Sequence, residues 1–142
     1  MNQRKIDDMI PIALNFLASP LEQFKNIKTA QGKIKSKYAG YIASFGPSVI
    51  QAGIAKTLAF YVKPGEADRE IIAEFIKYVL IEGYSLNDVN RNNDILSMYL
   101  VKINGQPTLT KLNFRNKILE AATACKLAML TYKIDEEDQH EH

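Results

Sequence analysis

The sequence predicts an all-α protein that folds as a compact single-domain bundle of five to seven helices. Apolar residues recur at three- and four-residue steps over several long segments, which is the spacing of one helix face. Glycine, proline and asparagine residues mark the ends of most of these segments. The chain has 142 residues, of which 46% are apolar, and this is enough to bury one substantial core.

The first predicted helix covers Arg4–Ala18, where apolar residues form one stripe. Pro11 lies inside this pattern. It is tolerated if the helix begins near Asp7 or Asp8, and otherwise it bends the helix. A short helical turn over residues 21–27 and a flexible loop through Gly32 are expected to follow.

The central segment predicts a kinked helix followed by a shorter one. Ser36 is suited to cap the first of these helices. Pro47 removes one backbone hydrogen bond and predicts a kink in that helix. Gly53 predicts a break, after which residues Ile54–Val62 form the short helix.

Two further helices are predicted over Ala67–Glu82 and Asp94–Ile103. Gly83 can supply the left-handed residue that ends the first of them. The pair Asn104-Gly105 is either a helix stop or a two-residue hairpin turn. The helical spacing of its flanks favours the stop.

The last predicted helix runs from Thr108 or Thr110 to Lys133, within a helical domain over residues 1–134. Residues 135–142 are expected to form a disordered acidic tail. This tail carries five of the sixteen acids, and the remainder of the chain has 18 basic and 11 acidic side chains.

A lysine-rich segment lies between Gln23 and Gly65, with seven lysines and no acid. Such a segment suits an anionic surface, of which a phosphate backbone is the commonest. The alternative is a solvated lysine-rich face without a partner.

The sequence offers no recognisable catalytic or metal-binding pattern. The only histidines are His140 and His142 in the acidic tail, and the single cysteine, Cys125, falls on an apolar helix face. The loop Asp88–Asp94 resembles a calcium loop but lacks the glycine and the terminal glutamate of that motif. We therefore expect no enzymatic activity, no cofactor and no metal. Cysteine usage, and the lack of a membrane-spanning run or secretory signal, predict a cytoplasmic protein.

Two surface patterns are candidates for binding. On a helical wheel of the last helix, Lys111, Arg115, Lys126 and Lys133 fall within about 60° of each other. This basic stripe indicates either cations along a groove or lysines that extend from a buried helix. Small residues recur at every fourth position at Ser36, Gly40, Ser44, Ser48 and Ala52. This ridge permits close helix packing, either inside the domain or against another subunit or a sugar-phosphate backbone.

The stretch Tyr38–Tyr61, with Phe45, Gln51, Gly53 and the run Leu58-Ala59-Phe60-Tyr61, resembles the central block of the small helical subunit of Cmr-type (type III-B) CRISPR effector complexes. The helix over Ile10–Leu17 and the position of Arg115 are also similar to that family.

The resemblance implies an all-helical, non-catalytic subunit of an RNA-guided antiviral complex. Several copies would stack into an inner filament beside the backbone subunit, the large subunit and the guide RNA, and would help to hold the target RNA. No aromatic-rich recognition motif is present, so contacts would be mainly to phosphates. Two alternatives are a helical interaction module without nucleic acid and a small subunit of another CRISPR subtype.

On this interpretation, candidate phosphate contacts are Lys33, Lys35, Lys37, Lys56, Arg115, Lys126 and Lys133. Only Arg115 is suggested by its position in the family pattern, and the others follow from charge. The candidate surface for packing against other subunits is formed by Gly40, Ser44, Ser48 and Ala52.

Overall fold

The computed structural model describes residues 1–136, and this part of the chain is an all-α structure with six α-helices. The predicted fold class is therefore confirmed. The helices are α1 (Gln3–Ala18), α2 (Ser36–Ala52), α3 (Ile54–Tyr61), α4 (Ala67–Tyr84), α5 (Ile95–Ile103) and α6 (Thr108–Met129). A 3₁₀ helix covers Glu22–Ile27, and two short strands are β1 (Ile34–Lys35) and β2 (Ile134–Asp135). No helix in residues 1–136 combines the length and apolar character that crossing a bilayer requires.

Helix α6 is the centre of the fold and packs against α1, α2 and α4. Alanines at 121, 122, 124 and 128 are buried on several sides of it, and their small side chains let the neighbouring helices approach closely. Cys125 is completely buried in this core, and burial raises the pKa of its thiol. The prediction that Cys125 is a core residue is confirmed.

Helix α1 begins earlier than Pro11 would suggest. The side chain of Asn2 caps it by accepting a hydrogen bond from the Lys5 backbone N–H at 3.2 Å. Pro11 therefore lies well inside the helix. Pro47 likewise lies inside α2, which runs continuously to Ala52, so the kink expected there stays a prediction.

The predicted breaks at Gly53 and Gly105 are confirmed. Gly53 separates α2 from α3 with a φ of 90°, and Gly105 follows α5 with a φ of 73°. Both angles lie in a region that glycine adopts without steric cost. The prediction for Ser36 is wrong by one residue, since Lys35 is the N-cap and Ser36 is the first residue of α2.

The predicted role of Gly83 is wrong. Helix α4 continues to Tyr84, and Ser85 takes the left-handed conformation with a φ of 51°. Gly83 is instead required inside the helix, because a Cβ atom there would lie 2.5 Å from the Cγ and Sδ atoms of Met9. This glycine permits the close packing of α1 on α4.

The end of α6 also differs from the prediction. The helix ends at Met129, and the chain then turns through Thr131 and Tyr132 into β2. Lys133 is therefore not on the helix, and the basic stripe predicted from the helical wheel does not extend to it. Asp135 lies in β2, one residue into the segment expected to be disordered, while residues 137–142 lie outside the described part of the chain.

Candidate nucleic-acid interface

The pairing of β1 with β2 brings together lysines from distant parts of the sequence. The strands are parallel, with Ile34 opposite Ile134 and Lys35 opposite Asp135. The Ile34 N–H also donates a 2.8 Å hydrogen bond to the Lys133 carbonyl oxygen. Because paired strands lie about 4.8 Å apart, Lys33, Lys35 and Lys133 lie in one region of the surface.

Lys28 joins this region through an antiparallel bridge with Ile34. Its Nζ atom lies 5.7 Å from the centre of the Tyr132 ring, within range of a cation–π interaction. We name Lys28, Lys33, Lys35 and Lys133 the β1–β2 lysine cluster. Lys33 and Lys133 are exposed, and the other two are half-buried.

The cluster has an ordered base. Ile27 and Ile34 are completely buried in the core on either side of the intervening turn. Within that turn the Thr29 N–H donates to the Lys33 carbonyl at 2.8 Å, and the Thr29 hydroxyl oxygen accepts from the Lys33 N–H at 3.2 Å. The flexible loop expected through Gly32 is therefore a hydrogen-bonded turn. This order reduces the conformational entropy that the backbone would lose on binding.

Lys37 is held in a different way, at the first turn of α2. Its Nζ atom lies 3.2 Å from Asp68 Oδ2, and the Tyr38 hydroxyl donates to Asp68 Oδ1 at 2.9 Å. Both partners of the ion pair are substantially exposed, so the pair contributes only about 0–1 kcal/mol. Lys37 therefore remains a candidate phosphate contact, but one that has a competing carboxylate.

The other predicted cations lie outside the cluster, on α3 and α6. Lys56 is exposed on α3. Lys126 is exposed on α6 and lines a shallow groove of about 120 Å³ between α6 and α2, beside Gly46 and Pro47. Arg115 is half-buried near Tyr99, where burial raises the pKa of the phenol and the charge of Arg115 offsets part of that rise.

The small-residue ridge lies on the outer face of α2. Gly40, Ser44 and Ala52 are exposed and Ser48 is half-buried. The Ser44 hydroxyl donates to the Gly40 carbonyl at 2.9 Å, and no atom lies within 4 Å of the position of a Cβ at Gly40. Packing inside the domain therefore does not use these three positions, although Ser36 is buried. Of the two interpretations of the ridge, packing against another subunit or a sugar-phosphate backbone is the one that these exposed positions leave open.

A buried carboxylate that the sequence analysis did not single out lies on α6. Glu120 is only 5% exposed, and it accepts hydrogen bonds from the Tyr84 hydroxyl and, at 2.8 Å, from the Asn2 N–H. Burial raises the pKa of Tyr84, and the bond to Glu120 raises it further. The Nζ atoms of Lys5 and Lys117 lie 4.6 and 5.0 Å from the Tyr84 ring centre. The arrangement ties the start of α1 to α4 and α6.

The acids of residues 1–136 do not assemble into a metal site. No group of three or more histidine, cysteine, aspartate or glutamate side chains in this range is close enough to hold a metal ion. In the Asp88–Asp94 loop, Asp88 is paired instead with Lys102 at 2.6 Å, and this interaction lowers the pKa of Asp88. The absence of enzymatic activity stays a prediction.

The fold and surface define a small all-α protein with an exposed lysine cluster and an exposed face of small residues. The model of the CRISPR-associated protein family Cas_Cmr5 matches residues 15–129, most of the chain. The chain belongs to this family, the small subunits of Cmr (type III-B) CRISPR complexes. Family membership implies association with other CRISPR effector subunits. No curated protein and no solved structure gives a significant match.

Proposed function

We propose that this chain is a non-catalytic structural subunit that holds the target RNA strand in the cytoplasmic effector ribonucleoprotein through phosphate contacts. The observation that carries the proposal is the β1–β2 lysine cluster, where four lysines surround an ordered two-strand junction. Family membership supports the setting in an antiviral CRISPR complex.

The chemistry of the surface favours contacts that do not depend on RNA sequence. Ammonium groups on flexible stems bind phosphate as point charges, and contacts to phosphate carry no information about base sequence. Phe60 is the one aromatic residue among the large exposed apolar side chains of residues 1–136, and the guanidinium of Arg69 lies 3.8 Å from its ring centre. The described surface therefore offers little area on which bases could stack.

Stacking of several copies is the second part of the proposal. The exposed residues Gly40, Ser44 and Ala52 give α2 a smooth outer face that permits close approach of a neighbouring subunit. A few lysines per copy bind phosphate weakly. Copies held in a row would present their clusters to the same strand and raise the effective concentration of each contact.

Photo-crosslinking in the reconstituted effector complex tests the RNA contact. Gln31 lies in the turn next to Lys33, and its exposed side chain can be replaced by benzoylphenylalanine without removing a lysine. Gln3 on α1 is an exposed glutamine outside the cluster and provides the matched control. We expect labelled target RNA to crosslink at position 31 and not at position 3. Equal yields at both positions would contradict the proposal.

A helical interaction module without nucleic acid is the second candidate. It is favoured by exposed apolar side chains at Val101 (70%) and Leu109 (77%), which suit a protein partner. On this account, complexes would assemble normally while neither position crosslinked to RNA. Loss of RNA turnover in magnesium after substitution of one acid of this chain would instead indicate an enzyme.

A further inference from the structure

Three adjoining hollows form one cleft at the α5–α6 end of the bundle. The first has a volume of about 400 Å³ and is lined by the start of α6, including Leu109. The second, of about 180 Å³, shares Thr110 and Asn113 with the first. The third, of about 390 Å³, lies beside the loop between α4 and α5 and shares Lys102 and Gln106 with the second. Because neighbouring hollows share lining residues, they are continuous, and we name them together the α5–α6 cleft.

Large apolar side chains line both ends of this cleft and are exposed. Leu109 is 77% exposed and Leu112 is 47% exposed in the first hollow, and Val101 is 70% exposed in the third. Exposed apolar side chains gathered on one surface are typical of a protein-interaction site. They gain nothing from contact with a phosphate backbone, so this surface favours a protein partner over RNA.

The middle of the cleft carries polar side chains without partners. The side chains of Gln106, Thr110 and Asn113 are exposed, and none of them bonds to another group of residues 1–136. An amide side chain offers both donors and an acceptor. The backbone N–H and C=O groups of an extended peptide are free to bond to such a side chain, whereas those of a helix already bond to each other. These residues therefore favour an extended segment as the occupant.

The charge of the cleft is positive. Its charged lining residues are Lys102, Lys117 and Asp88. Asp88 is already paired with Lys102 at 2.6 Å. Lys117 forms no ion pair within residues 1–136, and its Nζ atom lies 5.0 Å from the centre of the Tyr84 ring. One ammonium group of the cleft therefore lacks a carboxylate, which an acidic side chain of the occupant would supply.

We propose that the α5–α6 cleft binds an extended segment of a partner protein that is rich in apolar and acidic side chains. The apolar side chains of the segment cover Leu109 and Val101, and an acidic side chain pairs with Lys117. The backbone of the segment bonds to Gln106 and Asn113. The inference goes beyond the proposed function and does not depend on it, since the cleft uses no residue of the β1–β2 lysine cluster.

Selection from a library of random 12-residue peptides displayed on phage tests the chemistry of the occupant. The full chain is the target, and the Leu109→Ser variant removes peptides that bind elsewhere. We expect the enriched peptides to combine apolar residues with at least one aspartate or glutamate. Enrichment of basic peptides, or no peptide that distinguishes the parent from the variant, would overturn the inference.

The affinity of an enriched peptide, measured by fluorescence polarisation, tests the assigned residues. Leu109→Ser should weaken binding about tenfold or more, because the buried apolar contact is lost. Lys117→Met keeps the apolar stem and should weaken binding about threefold through the lost ion pair. The controls are Leu130→Ser and Lys63→Met, since Leu130 is 65% exposed and Lys63 is also exposed, both outside the cleft. Equal weakening in the variants and their controls would contradict the site.

Two other occupants are outcomes of the same variants. If the parent forms dimers in sedimentation and Leu109→Ser is monomeric, the cleft binds a second copy and the inference fails. If Leu109→Ser loses affinity for single-stranded RNA, the cleft binds RNA and the inference also fails. Failure of the RNA crosslink at position 31 would contradict the proposed function alone, because peptide binding in the α5–α6 cleft is measured without RNA.

Discussion

Gly83 and Met9 are packed so closely that no other residue type fits at position 83 without displacement. A Cβ atom on Gly83 would lie 2.5 Å from both the Cγ and the Sδ atoms of Met9, and Met9 is completely buried. This contact limits how closely α1 can approach α4.

We expect Gly83→Ala to lower the free energy of unfolding by about 1–3 kcal/mol, because the buried Met9 side chain has to move into a packed core. Gly40→Ala is the matched control in a helix, since no atom from another part of the fold lies within 4 Å of the Cβ position there. The control should be neutral or stabilising by up to about 1 kcal/mol. Urea unfolding of both variants measures the difference, and equal stability would show that the contact is not restrictive.

Lys77 closes the loop that joins α4 to α5. It is only 8% exposed, and its ammonium group donates to the carbonyl oxygens of Arg91 and Asn93 at 2.9 Å and pairs with Glu74 at 2.7 Å. We expect Lys77→Met to lower the free energy of unfolding by about 2–4 kcal/mol, because these acceptors lose their charged donor.

Lys102→Met is the control for that substitution. Lys102 pairs with Asp88 of the same loop, but Asp88 is mostly exposed. Loss of this ion pair should therefore lower the free energy of unfolding by at most about 1 kcal/mol. Hydrogen exchange should report faster opening of residues 86–94 in Lys77→Met than in the control. The same exchange rates in both variants would contradict the role of Lys77.

Because the Tyr61 phenol is buried, we expect the protein to lose stability at high pH. Burial raises the pKa of Tyr61 to about 12, and its hydroxyl donates to the Tyr41 carbonyl oxygen at 2.5 Å. In the unfolded chain the phenol releases its proton near pH 10, so the unfolded state is favoured progressively between pH 10 and 12. We expect the free energy of unfolding to fall over this interval, and to fall less steeply in Tyr61→Phe. An identical pH dependence of the two proteins between pH 10 and 12 would contradict this assignment.

The helices could be predicted from the sequence because the residue patterns that indicate them are local. Apolar spacing and glycine positions identified α1 to α5 and the breaks at Gly53 and Gly105. The close contact of Gly83 with Met9 could not be predicted, since a glycine near a helix end is equally suited to a left-handed cap.

The lysine cluster could be predicted from the sequence only in part. Charge alone selected Lys33 and Lys35, and the helical wheel selected Lys133 for the wrong reason, because it extended α6 past Met129. Strands of two residues carry no measurable alternation, and Ile34 is 100 positions away from its partner Ile134. The contact between Lys28 and Tyr132 depends on that pairing and has no local signal.

The salt dependence of RNA binding tests the central claim most directly. In reconstituted effector complexes, the logarithm of the affinity for single-stranded target RNA is measured against the logarithm of salt concentration. Complexes carry either the parent chain or the variant in which alanine replaces Lys33, Lys35 and Lys133. The control is a variant in which alanine replaces Arg4, Lys25 and Lys63. We expect the cluster variant to lower the slope by about 2 for each copy of the chain that contacts the strand, since each lost phosphate contact on a single strand removes about 0.7. An unchanged slope, or an equal fall in the control, would contradict the assignment of the cluster as the RNA-contacting surface.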